Sequence, residues 1–193
     1  MNRCFLAGVG ALILVVLTVV PQAAIAETPA ISPLWGKPGV HAIMRHALAP
    51  GTSDPSSFAL NECSTQRNLD DRGRAQAASI GKALNEAGLS FDRVLTSQWC
   101  RCRETANLLN LGAPDDLPAL NSFFQDRSTR DAQTEDVRAF LTSLGNDERV
   151  MLVTHQVNIT ALTGRGVSSG EVFFIRVNEE GDVDVLGEWL LRP

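Results

Sequence analysis

Two short apolar runs each end on a histidine, and that pairing constrains this chain more than any other feature. Val40-His41-Ala42-Ile43-Met44 runs into Arg45-His46, and Val150-Met151-Leu152-Val153-Thr154 runs into His155. Runs of this length fit strands buried on both faces of a parallel sheet. The chain has 3 histidines in all, so two of them at matching strand ends predict two imidazoles on the carboxyl edge of one sheet. Open α/β proteins place their ligand sites on that edge. A third strand-like run, Arg93-Val94-Leu95-Thr96, leads into Ser97-Gln98-Trp99-Cys100-Arg101-Cys102, which adds an arginine-bearing turn.

The rest of the pattern alternates between the two periods. Residues 40–46 are the first expected strand. Residues 47–68, rich in Pro, Gly, Ser and Asp, form a long loop of the kind that is usually functional in a compact domain. Asp70 or Asp71 can cap a helix through Arg74–Leu84 that ends near Gly88. A strand at 94–96, a helix from Arg101 to Leu111, an irregular stretch over 112–130 and a helix from about Gln133 to Leu144 follow. Strand 150–154 leads to helix 157–163, and Val172–Val177 with Val183–Trp189 reads as a hairpin around Glu180-Gly181. Strands alternating with helices predict a three-layer α/β/α sandwich with a mostly parallel central sheet, the last hairpin adding antiparallel edge strands.

The first 26 residues stand apart. A short basic start at Arg3, an apolar stretch from Phe5 to Val20 and the small-residue ending Ala24-Ile25-Ala26 read as a secretory signal peptide cut after Ala26. Residues 27–39, with three prolines and two glycines, read as an irregular lead-in, and 40–193 as one domain. A periplasmic or secreted location follows, with no stable membrane insertion after cleavage. The formal net charge is −5, and losing Arg3 makes the balance one unit more acidic. Nothing here supplies an extended basic face for nucleic acid.

Cleavage leaves Cys63, Cys100 and Cys102. In an oxidising compartment this predicts one disulfide and one free thiol, with Cys63 paired to Cys100 or to Cys102. Such a bridge closes a loop of about 40 residues and is worth on the order of 3–4 kcal/mol. Three cysteines at this spacing match no usual zinc site.

The chemistry follows from residue types. A phosphomonoester dianion is best held by arginine forks, and Arg45 and Arg101 are the two at the proposed edge. Positive charge beside an imidazole keeps it neutral and nucleophilic. His46 can then attack phosphorus to form a phosphohistidine, which water hydrolyses, while His155 donates to the transferring group. His41, at the start of its strand, reads as structural. Arg103 and Glu104 read as a surface pair, Phe123-Phe124 as core or pocket wall. Arg67 and Arg72 either reach a substrate anion from the long loop or stay solvated.

Met44-Arg45-His46-Ala47 resembles the Arg-His-Gly/Ala motif of the histidine phosphatase superfamily, which includes the cofactor-dependent phosphoglycerate mutases. Leu69 to Ala77 is similar to that family's Leu-x-x-x-Gly-x-x-Gln-Ala helix start. Ser97-x-x-x-Arg101-x-x-x-Thr105-Ala106 is similar to its second arginine motif, and Val153-Thr154-His155 to its second histidine. The pieces span most of residues 40–160 in the family's order. The resemblance implies a phosphoglycerate mutase-like fold, a phosphohistidine intermediate, a core of Arg45, His46, Arg101 and His155, and neither metal nor cofactor. One departure stands out. Where many relatives carry a glutamate proton donor in a Leu-x-Glu segment, this chain has Leu120-Asn121-Ser122, and Gln156 follows the second histidine. Asp126, just beyond, is the expected substitute.

The expected activity is therefore that of a phosphoric monoester hydrolase acting on a small phosphorylated substrate, an envelope sugar phosphate among the options. Two rivals remain. One is a non-catalytic phosphate- or anion-binding envelope protein that has lost the proton donor, and the other a thiol-disulfide protein built on Cys100 and Cys102.

Overall fold

The computed structural model describes residues 32–191. The expected signal segment and residues 27–31 of the lead-in lie outside them. Six strands form one sheet: β1 (His41–Arg45), β2 (Arg93–Thr96), β3 (Pro114–Asp116), β4 (Val150–Thr154), β5 (Val172–Val177) and β6 (Val183–Trp189), in the order β3-β2-β4-β1-β5-β6. β3, β2, β4 and β1 run parallel, β5 is antiparallel to β1, and β6 is antiparallel to β5. The expected hairpin thus supplies one outer strand, β6, and one interior strand, β5.

The strand alternation fills two cores. Ala42 and Met44 of β1, Met151 and Val153 of β4 and Phe174 of β5 face one layer of helices, α2 (Asp71–Glu86) and α3 (Cys100–Leu109), through Ile80, Leu84, Ala106 and Leu109. Ile43, Leu152, Phe173 and Ile175 face the other layer, α4 (Arg130–Ser143) and α5 (Gln156–Thr163), through Val137, Leu141, Ile159 and Leu162. The three-layer sandwich is as expected, because both faces of the parallel strands are covered and their sequence is apolar at nearly every position.

Two segments expected to be irregular are not. Residues 32–35 make a short helix, α1, whose Trp35 closes the first core against Phe91 and Phe174. Pro114–Asp116 pairs with β2 as an edge strand. Proline opens it, a position where its missing N–H does not break a ladder, and two aspartates hid the strand from a reading based on apolar periodicity.

The helix starts have clear causes. Asp70 caps α2 by accepting from the Gly73 amide at 2.8 Å. Gly73 itself is needed for contact, since a Cβ there would sit 1.9 Å from the Leu48 carbonyl. That contact presses the start of α2 against the chain leaving β1. α3 ends at Asn110, which takes the left-handed conformation.

Candidate active site

The parallel ladders bring the edge residues into line. The His46 amide donates to the Thr154 carbonyl at 2.9 Å and the Ser97 amide to the Val153 carbonyl at 3.0 Å. Ser97, His155 and His46 therefore leave β2, β4 and β1 side by side. The two imidazole centroids are 5.6 Å apart. Arg45, the last residue of β1, and Arg101, in the first turn of α3, line the same cavity. The four residues separated by up to 110 positions in sequence converge.

Each imidazole has a defined tautomer. His46 Nδ1 lies 2.7 Å from the Ala47 carbonyl, which can only accept, so Nδ1 carries the proton and Nε2 keeps a lone pair. His155 Nδ1 lies 3.4 Å from Arg101 Nη2, which can only donate, so the proton is on Nε2 and goes to Ser97 Oγ at 2.8 Å. Ser97 in turn donates to Asn121 Oδ1 at 3.2 Å. Both nitrogens of His155 are thus engaged within the protein, and its expected donation to a bound group is not the arrangement seen. Burial, then the Arg101 charge, holds both histidines well below the ordinary imidazole range. Both are neutral near pH 7.

The long loop contributes more than the sequence indicated. Arg67 lines the cavity, its Nη1 donating to the Ala49 carbonyl. Burial, and next the Arg101 charge, lower its pKa to about 10, so it stays cationic. Arg72 stays on the surface, paired with Asp70. The residue missed altogether is Asp54. Its Oδ1 accepts from Arg101 Nη1 at 2.7 Å and from the Arg67 amide at 3.0 Å; its Oδ2 accepts from Arg101 Nη2 at 3.2 Å and from Trp99 Nε1 at 3.0 Å. Burial pushes its pKa up, but the Arg101 fork and the other donors outweigh this and hold it below the usual carboxylate range. No local pattern marked Asp54 out from the other acids in the chain. Only an unpaired buried arginine would have called for it.

Three guanidinium groups against one carboxylate, with neutral imidazoles, leave the cavity a net +2. The Nε–H groups of Arg45, Arg67 and Arg101 are buried and have no acceptor within the protein. Three arginine side chains lining one cavity suit an anion with several acceptor oxygens.

The remaining motif residues prove to be braces. Thr105 Oγ1 accepts from the Ala47 amide at 3.0 Å and donates to the Arg101 carbonyl at 2.7 Å, tying α3 to the chain after His46. Gln76 accepts from the Leu48 amide at 2.9 Å and donates to the Ser169 carbonyl at 3.0 Å. Cys63 pairs with Cys100, next to Arg101, and Cys102 is free and buried 3.5 Å from His155 Nε2. Burial raises the Cys102 thiol to about 12, which leaves it unreactive. Arg103 and Glu104 do pair at the surface, though with Asp116 and Arg74 and not with each other. Phe123 is core, while Phe124 is 45% exposed and lines the cavity.

Asp126, the expected acid, is not brought to the cavity. It is exposed, and its carboxylate accepts from the Ser128 amide at 3.0 Å, capping a 3-10 turn over Arg127–Thr129. Those hydrogen bonds hold its pKa below the ordinary value. A local turn claims it, a contest that sequence spacing does not reveal.

Comparisons with known proteins agree with this geometry. The model of the histidine phosphatase superfamily (branch 1) matches residues 41–122. The mitochondrial serine/threonine-protein phosphatase Pgam5 of Drosophila mojavensis is 40% identical over 50 residues, which are 26% of this chain and 17% of that protein. The chain therefore matches only about a sixth of that relative's length. Among solved structures, the protein histidine phosphatase SixA complexed with tungstate superimposes with a TM-score of 0.55 at 20% identity, over 77% of this chain and 95% of that one. The alpha-ribazole phosphatase from Shigella flexneri gives 0.53 at 17% identity, over 76% and 94%. The matched model covers under half of this chain and the solved structures share its fold, so the histidine phosphatase superfamily is what this chain is similar to, in sequence over residues 41–122 and in fold over about three quarters of its length.

Proposed function

We propose that the protein is an exported, metal-independent phosphatase that hydrolyses phosphomonoesters through a phosphohistidine on His46. The observation that carries this reading is the neutral His46, its Nδ1–H tied to the Ala47 carbonyl, lining one cavity with the guanidinium groups of Arg45, Arg67 and Arg101. The lone pair of Nε2 attacks phosphorus, and the arginines hold the equatorial oxygens as charge shifts toward the leaving group. The net +2 of the cavity matches a phosphomonoester dianion. His155 keeps Arg101 in place through Nδ1 and flanks the transferring group. Water then attacks phosphorus, the P–N bond breaks, and neutral His46 is restored with release of inorganic phosphate.

Export is supported by the Cys63–Cys100 disulfide, which persists in oxidising compartments. Among the described residues no helix is long and apolar enough to cross a membrane. A small phosphorylated compound of the cell envelope is the substrate class such a location offers.

The test is turnover of p-nitrophenyl phosphate with EDTA present, together with trapping of an acid-labile phosphoenzyme. Both are expected in the wild type and absent in His46→Ala. Phosphate binding without turnover or phosphoenzyme would make the protein a non-catalytic anion binder instead.

A further inference from the structure

In-line displacement by His46 sends the leaving oxygen away from the cavity floor, toward the mouth. The floor carries both histidines, since His46 and His155 leave adjacent strands. The mouth is what meets the leaving group, and two features of it are independent of the phosphoryl chemistry. The first is the absence of a proton. Asp54 is the sole carboxylate among the described residues lining the cavity. An ionised carboxylate offers about four acceptor positions, and Arg101 Nη1, the Arg67 amide, Arg101 Nη2 and Trp99 Nε1 occupy all of them. It is an anion with no proton to give. His155 donates its one N–H to Ser97. The other lining groups at the mouth, Ser122, Gln125 and Gln156 among them, are neutral and weakly acidic.

The second feature is an aromatic rim. Trp99 lines the cavity and stacks on Phe58 with centroids 5.0 Å apart and planes at 20°. Phe124 lines it from the segment after Asn121 and is the one large hydrophobic residue exposed among the described residues. An exposed phenyl ring beside a cationic phosphate cradle offers apolar area to whatever the phosphate is attached to.

We infer that the site is built for phosphate esters of aromatic alcohols, whose leaving groups depart as aryloxides without a proton from the protein and pack on the ring of Phe124. This rests on the phosphatase reading and narrows it. In the first step the P–O bond breaks with its electron pair staying on the aryl oxygen, while the P–N bond forms from the His46 lone pair. The aryloxide takes its proton from solvent. In the second step water adds to phosphorus, the P–N pair returns to Nε2, and dihydrogen phosphate leaves. An alkoxide from a sugar is far too basic to depart this way, and general acid assistance of the kind missing here contributes about 10²–10⁴-fold.

The experiment compares kcat/KM of the purified chain for p-nitrophenyl phosphate, phenyl phosphate, acetyl phosphate and glucose 6-phosphate. Phenyl phosphate is expected to exceed glucose 6-phosphate by about 10²-fold or more, the size of the absent acid contribution. Turnover of glucose 6-phosphate within a few-fold of phenyl phosphate would overturn the inference while leaving the phosphatase reading intact. Acetyl phosphate has a leaving group that needs no proton and has no ring. Phe124→Ala is therefore expected to raise KM for phenyl phosphate more than for acetyl phosphate, and an equal change in both would overturn the aromatic half. No turnover and no phosphoenzyme with any of the four would overturn both readings together.

Discussion

His41 and His46 stand at opposite ends of one strand, both buried and both neutral, and only one of them faces a cavity. His41 is 3% exposed; burial, with Arg149 nearby, lowers its pKa to about 4, against a smaller upward pull from Glu148. Its Nδ1 has no partner. His46 is 1% exposed and shifted in the same direction by the same kinds of cause. A depressed pKa and a neighbouring arginine therefore do not mark a nucleophile. What separates the two is a tautomer set by the Ala47 carbonyl and a cavity that His46 lines together with Arg45, Arg67 and Arg101. The carboxyl end of the strand meets helix starts and a long loop, whereas the amino end meets only packed chain.

That contrast can be broken by experiment. The largest effect is expected from His46→Ala, which should lower kcat by on the order of 10⁴-fold or more and abolish the phosphoenzyme. His41→Gln should leave kcat within a few-fold; a comparable loss in both would mean that the strand as a whole, and not its carboxyl end, carries activity. Next comes Arg101→Lys. A lysine keeps the charge but loses the planar fork that holds Asp54 and His155, and the expected fall in kcat/KM is about 10²–10³-fold. A fall of only a few-fold would show that charge alone suffices.

Reducing Cys63–Cys100 probes the loop that distinguishes the two ends. The bridge spans 37 positions, and its removal is expected to cost about 3–4 kcal/mol of stability in a denaturant titration. Phosphate affinity should weaken as well, because the loop carries Asp54 and Arg67. Unchanged affinity would show that the Asp54 contacts hold the loop unaided.

The smallest effect is a pH slope. The unfolded chain protonates His41 near the ordinary 6.5, the folded chain only near 4. Between those values the unfolded state binds more protons, so stability falls as pH drops from about 6.5 toward 4. His46 and His155 act in the same direction. His41→Gln should flatten the slope in acid-melting curves without moving the pH profile of kcat/KM. A slope identical to wild type would place the acid sensitivity on groups other than His41.

The strands and their histidines were legible because burial on two faces demands continuous apolar runs, and because a parallel sheet ends its strands on one edge. The helix motifs were legible as motifs but not as braces. That Gln76 joins Leu48 to Ser169, and that Thr105 holds the Ala47 amide, depends on contacts 28 to 93 positions apart. α1 and β3 escaped notice for local reasons, one being a single turn and the other a proline followed by two aspartates.

What the sequence determined alone is the layered sheet, since periodicity marks which runs are strands and which are helices, while the convergence of Arg45, His46, Arg101 and His155 was what the family resemblance implied and what the parallel ladders bring about. What only the tertiary structure decided is the content of the mouth. It chose Cys100 over Cys102 as the partner of Cys63, set Asp54 against Arg101, and sent Asp126 to a surface cap. These choices are between equally suitable side chains on irregular segments, and distance in space, which no local pattern encodes, makes them.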